Sequence, residues 1–175
     1  MKRAVNCGLV KADNMKQAIL LLSFGTPRQP SDLLPYLTSI RRGKIPTERE
    51  LEVLTARYDA IGQWDNKLLQ TMGEEQKKTL ESLLKIDAMY LAYLHMPNSM
   101  EQAVESIAAA GYTSILCIVT SPFYSMVGTG AYERKLHSIL RAYPDISCEI
   151  IKSWWNRPQF FEYWRSQLMA ANPLQ

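Results

Sequence analysis

Ile115-Leu116-Cys117-Ile118-Val119-Thr120-Ser121 opens with five consecutive apolar side chains. A strand with one wet face alternates polar and apolar residues, whereas an unbroken run is buried on both faces, as in a parallel sheet. Strand–helix alternation continues on either side of it. Downstream, a helix is expected over 130–142, a strand over 147–153, and a last helix from Pro158, at or near its first position, to about residue 171. Upstream, Asn98 or Ser99 caps a helix that Gly111 ends, preceded by a strand over 89–95 and a helix over 68–84. Thr47-Glu48-Arg49-Glu50 has the spacing of a capping box and opens a helix to about Tyr58, stopped at Gly62. Before it stands a helix over 31–42 with Ser31 as N-cap and Gly43 as its end. The first strand, 17–24, closes on Gly25-Thr26-Pro27. Strands separated by helices predict an α/β fold: an open parallel four-stranded sheet with flanking helices and right-handed crossovers. Three helices between the first two strands exceed what a crossover needs, so that stretch is expected to build over the sheet edge.

The 175 residues suit one domain, and 47% apolar against 21% charged residues supports a packed core. A net charge of +3 without a dense basic stripe gives no reason to expect nucleic acid as partner. The longest apolar run, Ala88–Leu94, is seven residues, whereas a bilayer span takes about 20, so no transmembrane segment is expected. Residues 1–14 carry Lys2-Arg3 and no apolar stretch of secretory type; they read as a disordered leader before a single domain over 15–175, with Met15 a possible start. Cys7, Cys117 and Cys148 form no CxxC, which points to the reducing cytoplasm and no structural zinc.

Ligands of open α/β sheets bind beyond the carboxyl ends of the strands. There this chain places Phe24-Gly25-Thr26-Pro27, His95-Met96-Pro97, Pro122-Phe123-Tyr124-Ser125 with a Gly-rich turn to Tyr132, and Trp154-Trp155. This aromatic rim with few acids suits a large, flat, apolar ligand. Arg41-Arg42 and Arg57-Tyr58 flank it, and arginine offers a planar fork to carboxylates. A flat apolar body with carboxylate arms has the shape of a porphyrin. The same residues have structural readings: Arg41-Arg42 complement a helix dipole, Trp154-Trp155 fill core or interface, His95 hydrogen-bonds at a strand end, and His137 is solvated. Gly128-Thr129-Gly130 lacks the rest of a phosphate loop. No catalytic constellation is complete, and no metal-ligand spacing is evident.

Taken in order, Leu21-Leu22-Ser23-Phe24-Gly25-Thr26-Pro27, Ile40-Arg41-Arg42-Gly43-Lys44, Arg57-Tyr58-Asp59-Ala60-Ile61-Gly62, Ser121-Pro122-Phe123-Tyr124-Ser125, Gly130-Ala131-Tyr132 and Ser153-Trp154-Trp155 with Pro158 and Tyr163-Trp164 resemble ferrochelatase. The resemblance is closest to the Gram-positive type that inserts ferrous iron into coproporphyrin III, and it runs from about residue 15 to 171. It implies a lyase of haem biosynthesis with ferrous iron and porphyrin as substrates and no prosthetic group. It also implies a chelatase fold of two similar Rossmann-like halves with the porphyrin cleft between them. By motif position Arg41, Arg57, Tyr58 and Tyr132 match residues that hold the porphyrin and its propionates. Phe24 and Ser125, on the same rim, complete the expected porphyrin-binding set. His95 is the one candidate base, and no metal ligand is identified.

Three departures stand out. The family usually has a tyrosine, able to ligate the product's iron, where this chain has Phe24. A second glycine and a Ser-Pro pair are replaced by Gln63-Trp64-Asp65-Asn66, and a carboxylate at Asp65 repels a propionate unless a cation lies between them. Family members are about twice as long, with the catalytic histidine and its acidic partner in the second half, so the chain reads as a truncated amino-terminal half. Two alternatives remain open. One is a half-size chelatase acting as a homodimer, a class in which a histidine stands at the place of Phe24. The other is a non-catalytic porphyrin- or haem-binding module paired with a separate second half.

Overall fold

The computed structural model describes residues 16–62, 64 and 68–171. The expected leader, 1–14, and Gln63, Asp65 and Asn66 therefore lie outside the described residues. The elements run β1 (Gln17–Ser23), a 3-10 turn (Pro30–Asp32), α1 (Leu33–Ile40), α2 (Glu48–Ala60), α3 (Leu68–Leu84), β2 (Met89–Tyr93), α4 (Ser99–Ala109), β3 (Ser114–Val119), α5 (Thr129–Leu140), β4 (Ser147–Ile151) and α6 (Pro158–Ala171).

All strand pairs are parallel, in the order β2-β1-β3-β4. Leu21 aligns with Leu91 on one side and with Ile118 on the other. The chain winds one way from β1 to β2 and the other way through β3 and β4, so the topological switch lies between β1 and β3. On one face Ala18, Leu20, Leu22, Ala92, Ile115, Cys117 and Val119 are buried with Met100, Val104 and Ile107 of α4 and Tyr132 and Leu136 of α5. The buried half of the β3 run lies on this face, whereas Leu116 and Ile118 on the other face are only half-buried, so the expected burial on both faces is incomplete. On that second face α3 crosses β2 closely at Gly73, where a Cβ would come within 3.1 Å of Leu91 Cδ2 and the Tyr93 hydroxyl.

Local chemistry sets the element ends. The capping box is present: Glu50 N–H donates to Thr47 Oγ1 and Thr47 N–H donates to the Glu50 carboxylate, at 3.3 and 2.7 Å. The first helix differs from expectation. Pro30 starts a 3-10 turn that contains Ser31, so Ser31 is not the cap, and Asp32 instead accepts the Arg28 N–H at 2.9 Å. Asn98, at φ 54, makes no side-chain cap bond. Ser99 Oγ accepts from Tyr93 N–H at 2.9 Å and so closes β2. Strand β2 ends at Tyr93 rather than 95, yet its ladder goes on: Leu94 N–H donates to Ser23 O and His95 N–H to Phe24 O, at 2.9 and 3.1 Å. That extension sets His95 beside Phe24.

Candidate functional site

Phe24 directly follows β1 at the switch point and is 47% exposed, although Leu20 to Leu22 before it are buried. Gly25, at φ 89, turns the chain sharply, and a Cβ there would meet Met96 Cγ and Tyr93 Cβ at 3.0 Å. Two rings meet Phe24. His95 packs at 4.4 Å between centroids and Tyr36 of α1 at 6.4 Å, both edge-on. Tyr36 and His95 are 6.3 Å apart.

Phe24 is the shared wall of two cavities. The first, about 350 Å³, lies between the β1 turn and α3 and is lined by Arg28, Tyr36, Tyr58, Gln70, Tyr93 and Met96 among others. The second, about 380 Å³, is lined by Ser39, Arg42, His95, Val127, Tyr132 and Arg134 among others. Their walls are aromatic or aliphatic with a few convergent polar groups, the composition of a small-molecule site.

The polar groups are held in defined states. Ser39 Oγ and His95 Nδ1 are 2.9 Å apart, which fixes the imidazole. Burial, and then the Lys135 charge, hold the His95 pKa below its ordinary value, so the ring is neutral near pH 7. Burial pushes the Tyr132 phenol up to about 12. Burial also raises Tyr36, and the Tyr58 hydroxyl bonded to it adds to the effect. Both phenols are therefore neutral donors. The Tyr58 ring meets Trp64 edge-on at 5.3 Å.

The six expected porphyrin-binding residues fall into three groups. Phe24 joins Tyr58 in the first cavity and Tyr132 in the second. Arg41 and Arg57 line a separate cavity of about 600 Å³ between α1 and α2, with Arg49 and Glu50. There Arg41 is ion-paired with Glu50 at the surface, so part of its hydrogen-bonding fork is already engaged. Ser125 sits in a turn: its Oγ accepts from Gly128 N–H at 2.9 Å, and its N–H donates to Thr129 Oγ1 at 2.8 Å. That turn sets the start of α5 and thereby Tyr132. Trp154 donates from Nε1 to Val119 O at 3.0 Å, which ties the end of β4 to β3. His137 is exposed.

Tyr36, Ser39, Arg28 and Gln70 were not expected at the site. Tyr36 stands three residues after the buried Leu33 and reads as core. The other three carry no sequence signal, because their roles depend on how α1 and α3 lie against β1. Among the described residues no three His, Cys, Asp or Glu side chains cluster as a metal site.

The model of the ferrochelatase family matches residues 16–172. The chain belongs to the ferrochelatase family. It is 32% identical over 158 residues to the coproporphyrin III ferrochelatase of Staphylococcus aureus strain Mu50, covering 87% of this chain and 51% of that protein. It is 34% identical over 155 residues to the coproporphyrin III ferrochelatase of Staphylococcus epidermidis strain RP62A, covering 86% and 50%. The chain thus spans about half the length of the curated relatives it matches. Its open parallel sheet, flanked by six helices among the described residues, is consistent with a chelatase-type half, and the ferrochelatase match runs through every strand and helix described.

Proposed function

We propose that this chain binds a porphyrin at the switch-point cleft and serves the insertion of ferrous iron into coproporphyrin III, a lyase reaction of haem biosynthesis in the cytoplasm. The observation that carries this reading is Phe24 as the shared wall of two adjoining aromatic cavities, with arginines on their walls and in the neighbouring cavity. Their aromatic and aliphatic walls suit the faces of a flat apolar macrocycle. Arg57, for which no ion pair with a described carboxylate is recorded, and Tyr58 offer donors to its propionates. Arg41 contributes less, because Glu50 already occupies part of its fork.

Insertion also requires a base for the pyrrole protons. His95 is neutral near pH 7, and when its Nδ1–H donates to Ser39 its Nε2 is left as an acceptor, so it is the candidate in this chain. Iron and porphyrin are the substrates in this reading, and residues 15–175 act as one unit. The outward apolar side chains of α6, Phe161, Trp164 and Leu168 among them, support a protein partner that completes the cleft, either a second half or a second copy.

The test is an anaerobic titration with coproporphyrin III, first alone and then with ferrous iron, followed by absorption. The expected result is a saturable Soret shift that Arg57→Ala weakens more than Arg41→Ala. No spectral change at any concentration overturns the binding reading. Collapse of the free porphyrin's four visible bands to two marks insertion, and binding without that collapse limits the chain's own part to holding the porphyrin.

A further inference from the structure

The cavity between the β1 turn and α3 contains two polar groups, Arg28 and Gln70, to which the porphyrin reading assigns no particular side arm. Arg28 is the first. Its guanidinium carbon lies 6.0 Å from the centre of the Tyr93 ring, which rests the side chain on the cavity wall. Its backbone N–H is anchored on Asp32 at 2.9 Å, and the Asp32 carboxylate also faces the Gln29 amide at 3.4 Å. Among the described residues no ion pair is recorded between the Arg28 guanidinium and a carboxylate, in contrast to Arg41 on Glu50.

Gln70 is the second. Its Nε2 donates to Thr26 O at 3.4 Å, which fixes the amide's orientation, and its Oε1 is buried with no hydrogen-bond partner among the described residues. A buried acceptor left unpaired costs free energy that a polar occupant, bringing a donor or a water, recovers. A vinyl or ethyl group in this cavity would leave both groups unmatched.

We infer that Arg28 and Gln70 form a carboxylate subsite that selects a porphyrin bearing additional acidic side arms over one with apolar arms at those positions. The inference rests on the porphyrin reading of the cleft and adds a determinant of selectivity to it. Arg41 and Arg57 open on a different cavity, so the two carboxylates common to both kinds of porphyrin are assigned there. One of the two arms that only the four-carboxylate porphyrin carries is assigned to Arg28. The Gln70 acceptor takes a water bridged to that arm.

Binding of coproporphyrin III and of protoporphyrin IX to the unaltered full chain, Arg28→Gln and Gln70→Glu tests this, with circular dichroism confirming the fold of each variant. The unaltered chain is expected to prefer coproporphyrin III. Arg28→Gln loses about tenfold in affinity for it, the worth of one charge-assisted contact, and stays within about twofold for protoporphyrin IX. Gln70→Glu places a like charge beside the arm and lowers coproporphyrin affinity in the same selective way. Equal weakening of both porphyrins, or no weakening of either, overturns the subsite and leaves the porphyrin reading intact. Failure of the unaltered chain to bind any porphyrin removes that reading and the subsite with it.

Discussion

His95 and Glu50 have depressed pKa values for different reasons, and their effects on stability fall in different pH windows. His95 is lowered from 6.5, first by burial and second by Lys135. Its neutral form is the one the fold prefers, so the unfolded chain takes up the proton first and stability falls as pH drops below 6.5. Glu50 is held at about 2 by the Thr47 backbone bond first and by the Arg41 and Thr47 side-chain bonds after it. Its contribution is complete above the ordinary value of 4.5 and is lost as pH falls from there towards 2. Thermal unfolding midpoints across this range should therefore fall in two stages. His95→Gln should flatten the upper stage and Glu50→Gln the lower one, since glutamine still reaches the N-cap backbone. A profile unchanged by both substitutions would show that neither group couples to folding. Of this pair the sequence shows only half. The Thr47–Glu50 spacing is legible as a capping box, while the Arg41 partner depends on the turn at Arg42 and Gly43, with φ 57 and 90, that brings α1 back beside α2.

Helix α2 illustrates what holds an element that has little core to lean on. None of its thirteen residues is buried, so its stability rests on its ends. Removing the cap with Thr47→Ala is expected to cost about 1 kcal/mol. The loss should appear as faster amide exchange at the start of α2, with the β1 and β3 amides unaffected. Equal acceleration throughout the chain would mean that α2 unfolds only with the sheet. The elements most legible in the sequence are those whose burial is set by their own pattern. Helix α3 has the expected bounds, Leu68–Leu84, and the apolar run at 115–119 falls within β3. Ser31 misleads because Pro30 favours a tighter turn one residue earlier, and the expected strand to His95 is legible in the ladder bonds of Leu94 and His95 although β2 itself ends at Tyr93. The candidate site was legible as a set of strand ends, since ligands gather there in any open α/β sheet. Its division into two cavities by Phe24 was not, because that depends on where α1 and α3 rest.

The two faces of the sheet are covered to different depths. One is closed by α4 and α5 over a continuous core. The other carries α3 and a cavity of about 540 Å³ lined by Leu21, Met72, Leu80, Ile118 and Trp154, among others. Beyond it α6 buries no residue and leaves Phe161 54% and Leu168 66% exposed. The aromatic contacts between α6 and the β3–β4 end run through Phe160, whose ring lies 5.4 Å from Trp154 and 6.0 Å from Phe123. Such an element opens locally, well below the free energy of global unfolding. Phe160→Ala should therefore release α6 and leave the sheet folded. Amide exchange over 159–171 is expected to become about tenfold faster, equivalent to ~1.4 kcal/mol of local packing, while the Ile115–Val119 amides keep their protection. If exchange in the sheet rises in step with exchange in α6, the helix belongs to the cooperative core despite its exposure. If neither changes, a contact other than Phe160 holds α6 in place.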